Sequence, residues 1–194
     1  MSVTRGWTLR EILIVTVIGA VFAVLYLGWV QVWLIAQAAF GPLTMDVVMG
    51  FWFVASMVAA AIIRKPGAAF AAEVMAAAVQ VLLGSPAGLL LVVSGIVQGA
   101  GAEAVFAATR WRKYSLPVLM AAGAGAAVFS YIYTWIRFDY GALQPTLLIA
   151  MFALRTLSGA LLGGWLAHVI VRALYKTGAL AGLAIDVDKR SAAA

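Results

Sequence analysis

Glu73 and Glu103 are carboxylates set where charge is costly. Glu73 stands in FAAEVMAAAVQ at 70–80 and Glu103 in QGAGAEAVF at 98–106, among alanine, glycine and aliphatic side chains. An ionisable group in such surroundings costs several kcal/mol unless it is paired or hydrated, which makes each a functional candidate. Gln80 lies seven residues beyond Glu73. Seven residues are about two helical turns, so the two share a face. Gln98 lies at the start of the glycine-rich stretch that leads to Glu103. Acids and amides of this kind supply negative potential and hydrogen-bond acceptors to a cationic or amine-bearing solute. The structural alternative is an ion pair of either acid with Arg155, or a neutral acid hydrogen-bonded inside the fold.

These residues need a scaffold that tolerates almost no other charge. Of 194 residues, 65% are hydrophobic and 10% charged, and the mean hydropathy is +1.07. Soluble domains are roughly a quarter charged. The expected fold is therefore an all-α integral membrane protein, since a helix satisfies its own backbone polar groups in lipid and needs about 20 residues to cross it. Six segments qualify as spans: Ile12 to about Gln31, Val47 to Ile63, Gly67 to Leu83, Ala87 to Thr109, Pro117 to Ile136 and Thr146 to Val171. One six-helix membrane domain over 1–182 is expected, followed by a short polar tail over 183–194.

Most of the 13 Lys and Arg sit at alternate ends of these runs: Arg5 and Arg10, Arg64 and Lys65, Arg110, Arg112 and Lys113, then Arg172, Lys176, Lys189 and Arg190. Arg137 stands at an opposite end. The positive-inside rule places both termini in the cytoplasm of a multi-pass protein of the cell membrane. The net charge of +6 thus marks topology and not a nucleic-acid-binding face. Arg5 and Arg10 ahead of an apolar run ending in Ala36-Gln37-Ala38 resemble a signal peptide, but that run exceeds the 7 to 15 residues of a signal sequence and reads as a retained helix.

On this topology Glu73, seven residues past Pro66, and Glu103, seven before Arg110, both lie about 10 Å from the cytoplasmic boundary. Gln80 and Gln98 lie farther out. Above them the outer ends carry many aromatics, among them Trp29, Trp52, Tyr131 and Tyr133. Aromatic belts at the headgroup level explain a share of these. An aromatic mouth over acids and amides also suits a flat cationic heteroaromatic ligand, through stacking and cation–π attraction. Small residues recur four apart, as in Gly19 and Ala23, Ala72 and Ala76, Gly95 and Gly99, and Gly159 and Gly163, a spacing that lets helices approach closely in lipid. Internal packing accounts for most of these pairs; on helix one, such a stripe is also able to face another subunit.

Other chemistries are excluded. QGAGAE follows no strand and opens no helix, so it is no dinucleotide fingerprint, and no Walker A Gly-Lys-Ser or Gly-Lys-Thr occurs. The chain has no Cys and a single His, His168. No metal site, cofactor or catalytic set is expected, and the chain is read as no enzyme.

Six motifs taken together resemble one family: IIRKPGAA at 62–69 with Glu73 behind it, LLGSPAG at 82–88, QGAGAEAVF at 98–106, LPV at 116–118, RTLSGALLGGWL at 155–166 and YKTGAL at 175–180. Over roughly residues 8–182 the chain resembles the YkoE family, substrate-capture S components of energy-coupling factor (ECF) transporters associated with thiamine or its hydroxymethylpyrimidine precursor. The resemblance implies about six helices, capture of vitamin from outside, and a transmembrane coupling protein with two ATPase subunits as partners. It further implies that small residues on helix one meet the coupling protein, which here points to Thr16, Gly19, Ala20 and Ala23; the A-x-x-x-A pattern common in such transporters is absent. On this reading Glu73 and Glu103 serve the charge and amine of thiamine, Gln80 and Gln98 orient its pyrimidine, and Trp52, Tyr131, Tyr133 or Trp29 stack on it or close the mouth. Two rivals remain at this stage: a proton-coupled secondary transporter with Glu73 and Glu103 as carriers, and a membrane subunit without a ligand.

Overall fold

A computed structural model describes residues 6–41 and 43–186. Arg5, Lys189, Arg190 and the tail from 187 onward lie outside the described residues. The chain builds helices α1 (Leu9–Phe40), α2 (Thr44–Ile63), α3 (Ala68–Leu82), α4 (Leu90–Ala108), α5 (Leu116–Arg137) and α6 (Pro145–Lys176). Five are long and apolar enough to cross a membrane; α3 is shorter. At 1.5 Å per residue the 15 residues of α3 rise about 22 Å, against a hydrocarbon layer of about 30 Å. The expected span from Gly67 to Leu83 is thus incomplete, because Gly84, in the left-handed region at φ 84°, and Pro86 turn the chain before it reaches the outer boundary.

Helix α2 is the hub. It is buried over 83% of its apolar stretch, while the other four spans are buried over 28 to 39%. Every residue from Val54 to Ile63 is buried, which is how a helix apolar all round must sit. The other helices surround it, α1 packing on α3, α3 on α4, α4 on α5 and α5 on α6. Their outward faces carry exposed Val17, Val21, Leu90, Ile132, Ile149 and Trp165, the surface expected toward lipid.

The glycines of the sequence do the packing. A Cβ on Gly95 would lie 2.6 Å from that of Ala77, and one on Gly101 would lie 2.6 Å from the Gly125 carbonyl oxygen. QGAGAE is therefore the seam along which α4 closes on α3 and α5. Gly19 and Ala23 are buried, and a Cβ on Gly19 would lie 2.8 Å from Met75. Half of the proposed partner stripe on helix one is thereby used inside the chain, while Thr16 and Ala20 stay partly exposed.

Two helices depart from α geometry where they meet. Met49–Phe53 of α2 is a 3-10 turn and Gly159–Trp165 of α6 a π segment. The Ser158 hydroxyl donates to the Val47 carbonyl at 2.6 Å and accepts the Gly50 N–H at 2.9 Å, locking the crossing. A buried ion pair stands beside it: Arg155 Nε donates to Asp46 Oδ1 at 2.6 Å and Nη1 to Thr134 Oγ1 at 2.7 Å. Arg155 therefore does not form the ion pair with Glu73 or Glu103 that the structural alternative offered.

The cationic ends gather on one side. Lys65 bonds Glu11 at 2.7 Å, Trp7 Nε1 donates to the Pro66 carbonyl at 3.2 Å, and Arg10 donates to the Ala181 carbonyl at 3.0 Å. The first residues of the expected polar tail pack on the fold: Leu183, Ile185 and Asp186 are buried, and Asp186 accepts from Gly182 N–H at 3.0 Å.

Candidate substrate-binding site

A cavity of about 450 Å³ opens at the end of the bundle opposite the cationic side. Its floor is polar. Glu73 is 3% exposed, and the Ser56 hydroxyl donates to its Oε2 at 2.8 Å while lying 3.1 Å from the Ala69 carbonyl. Gln98 joins the floor from α4, its Nε2 donating to Ser130 Oγ of α5 at 3.4 Å. The glycines set these residues at one level: a Cβ on Gly99 would lie 3.2 Å from the Cβ of Glu73. Because α4 carries glycine at positions 95 and 99, it approaches α3 closely enough for Gln98 and Glu73 to share a floor.

The walls are aromatic and thioether. Trp52 from the 3-10 turn, Met45 and Met49 beside it, and Tyr133 of α5 all line the space. Trp52 precedes Ser56 by four residues, so it stands about 6 Å outward of the carboxylate. Gln80, Trp33, Arg137 and the Ser85-Pro86-Ala87 loop form the outer part. The amide of Gln80 donates only to its own helix, to the Ala76 carbonyl at 3.3 Å. The short α3 explains the opening, since the bundle lacks its last turns of helix at this corner.

Of the residues singled out from sequence, Glu73, Gln80, Gln98, Trp52 and Tyr133 come together here. Three do not. Glu103 lies at the start of α3, where it accepts from the N–H groups of Gly67 at 2.6 Å, Ala69 at 3.1 Å and Phe70 at 3.2 Å, and from Trp111 Nε1 at 2.6 Å. These are the unpaired donors and the positive dipole end of a helix, and the carboxylate answers both. Tyr131 donates its hydroxyl to the Leu148 carbonyl at 2.9 Å and packs edge-on against Phe152 and Trp135. Trp29 stacks on Phe51 at 4.4 Å and donates to the Val48 carbonyl at 3.2 Å.

Sequence reasoning passed over Asp46, Ser56, Ser130 and Arg137 as site neighbours. Asp46 precedes the apolar run taken as helix two and looks like a loop residue; the need of a membrane-buried Arg155 for a counter-ion was the signal that would have found it. Among the described residues no group of three or more His, Cys, Asp or Glu side chains is placed to hold a metal ion. The cavity itself offers one carboxylate, amides and hydroxyls under an aromatic wall.

Comparison with known proteins identifies the family. The family model of the ABC-type cobalt transport system, permease component, matches residues 10–129. The chain is 48% identical over 184 residues to the putative HMP/thiamine permease protein YkoE of Bacillus subtilis (strain 168), covering 95% of this chain and 92% of that protein. It also superposes on a crystal structure of an S-component of an ECF transporter with a TM-score of 0.92 at 46% identity, covering 96% of this chain and 94% of that one. The chain therefore belongs to the YkoE family, multi-pass membrane proteins that serve as the substrate-binding S components of ECF transporters.

Proposed function

We propose that this chain captures thiamine or its hydroxymethylpyrimidine precursor at the outer membrane face and delivers it to an ECF coupling protein driven by two ATPase subunits. The observation that carries the ligand class is the floor of the cavity, where Glu73 and the amide of Gln98 lie beneath the rings of Trp52 and Tyr133. An aminopyrimidine directed inward would give its amine to Glu73 and present its face to an aromatic wall. A thiazolium would then lie farther out, near the thioethers and rings, where cation–π attraction favours it.

The lining supports an organic ligand over the divalent cation named in the matched family description. A cobalt site draws on imidazole, thiolate or several carboxylates, and this cavity contributes one carboxylate. The name of the Bacillus relative supports the same choice of vitamin. The chain has no ATP-binding motif of its own, so ATP-driven uptake falls to partners. Its role is binding and not catalysis.

Calorimetric titration of the detergent-solubilised chain with thiamine and with hydroxymethylpyrimidine tests this reading, with Glu73→Gln and Glu103→Gln in parallel. The expected result is saturable binding that Glu73→Gln weakens by about tenfold or more, the scale of a lost charge-assisted hydrogen bond. Folded protein that gives neither heat nor thermal stabilisation with either compound would overturn it.

A further inference from the structure

Resting on the thiamine reading above, we propose that the cavity also accepts a phosphate monoester of the two-ring ligand, with Arg137 as the residue that recognises the phosphate. The cavity is chemically polarised. Its floor holds acceptors, led by the Glu73 carboxylate, while Arg137 lines its outer part.

The spacing follows from the helices. Ser130 lies at floor level through its bond with Gln98, and Arg137 is seven residues farther along the same helix. Seven residues bring the side chain back to nearly the same face about 10 Å outward. A two-ring molecule with a short side chain spans that distance. A single pyrimidine ring with a one-carbon arm does not.

Arg137 is held but not neutralised. Its guanidinium lies 5.9 Å from the centre of the Tyr133 ring and 4.9 Å from that of Phe138, and both rings line the same cavity. No carboxylate of the described residues pairs with it. Arg155, by contrast, is spent on Asp46 and Thr134. Arg137 sits in the last turn of α5, where the helix dipole favours a cation and two aromatic rings flank it. An arginine so placed keeps its donors for a bidentate acceptor such as phosphate. Glu73 remains remote from that anion, so one site serves an amine at its base and an anion at its rim.

The test is a titration of wild type, Arg137→Gln and Arg137→Lys with four compounds: thiamine, thiamine monophosphate, hydroxymethylpyrimidine and its phosphate ester. The expected result is that wild type binds thiamine monophosphate. The ratio of its Kd to that of thiamine then rises about tenfold or more in Arg137→Gln, and Arg137→Lys recovers part of the loss. The same ratio for the two single-ring compounds stays constant, since their phosphate falls short of the rim. Binding of thiamine without the monophosphate, or a ratio unmoved by Arg137→Gln in protein with an unchanged melting temperature, overturns the inference and leaves the vitamin reading standing. Failure of thiamine itself to bind wild type removes the vitamin reading and this inference with it.

Discussion

Glu73 and Glu103 give the same signal in sequence, a lone carboxylate at the same depth of an apolar helix, yet the fold surrounds them differently. Glu103 meets four donors, three backbone N–H groups of α3 and the Trp111 indole. Glu73 meets one, the Ser56 hydroxyl, and lines the cavity. A carboxylate whose acceptor capacity is filled by the protein holds the protein together. A carboxylate left with capacity facing a cavity is free to hold something else.

The contrast predicts opposite phenotypes. Glu103→Ala would strand the N-terminal donors of α3 and the Trp111 N–H, lowering stability by about 3 to 5 kcal/mol; thermal unfolding in detergent reads it, and an unchanged melting temperature would erase the distinction. Glu73→Gln keeps the shape and the Ser56 contact, so unfolding stability moves by less than about 1 kcal/mol while thiamine affinity falls. A large loss of stability here would make both acids structural. Ser56→Ala removes the sole side-chain donor to Glu73 and should shift affinity by about 1 kcal/mol, roughly fivefold, through misplacement of the carboxylate. Trp29→Phe should be mildest, keeping the stack on Phe51 and losing the bond to Val48, at about 0.5 to 1 kcal/mol of stability with thiamine affinity intact by calorimetry.

Depth and periodicity made much of this legible. Glu73, Gln80 and Gln98 were placed by counting residues from the cationic ends, and the helical rise carried that count into the fold. Neighbouring residues on one helix show where counting stops. Tyr131 and Tyr133 differ by two positions, about 200° around the axis, so only one of them is able to face the cavity; rotation is set by packing against α6, which no local pattern reveals. Glu103 was invisible as a cap because its backbone donors are 33 to 36 residues distant in sequence. Asp46 was hidden by a helix that starts earlier than its apolar run, at Thr44.

The truncated α3 reaches beyond the site. Where it ends, exposed Leu82, Leu83, Leu89 and Leu90 ring the loop, after about 22 Å of helix against a hydrocarbon layer of about 30 Å. Hydrocarbon cannot solvate loop backbone, so a bilayer of ordinary thickness would have to thin around this corner, at a cost that grows with thickness. A leaflet thinned there would let water reach the mouth of the cavity from the side. Reconstitution in lipids of increasing chain length should therefore slow ligand entry more than it slows release of ligand already bound.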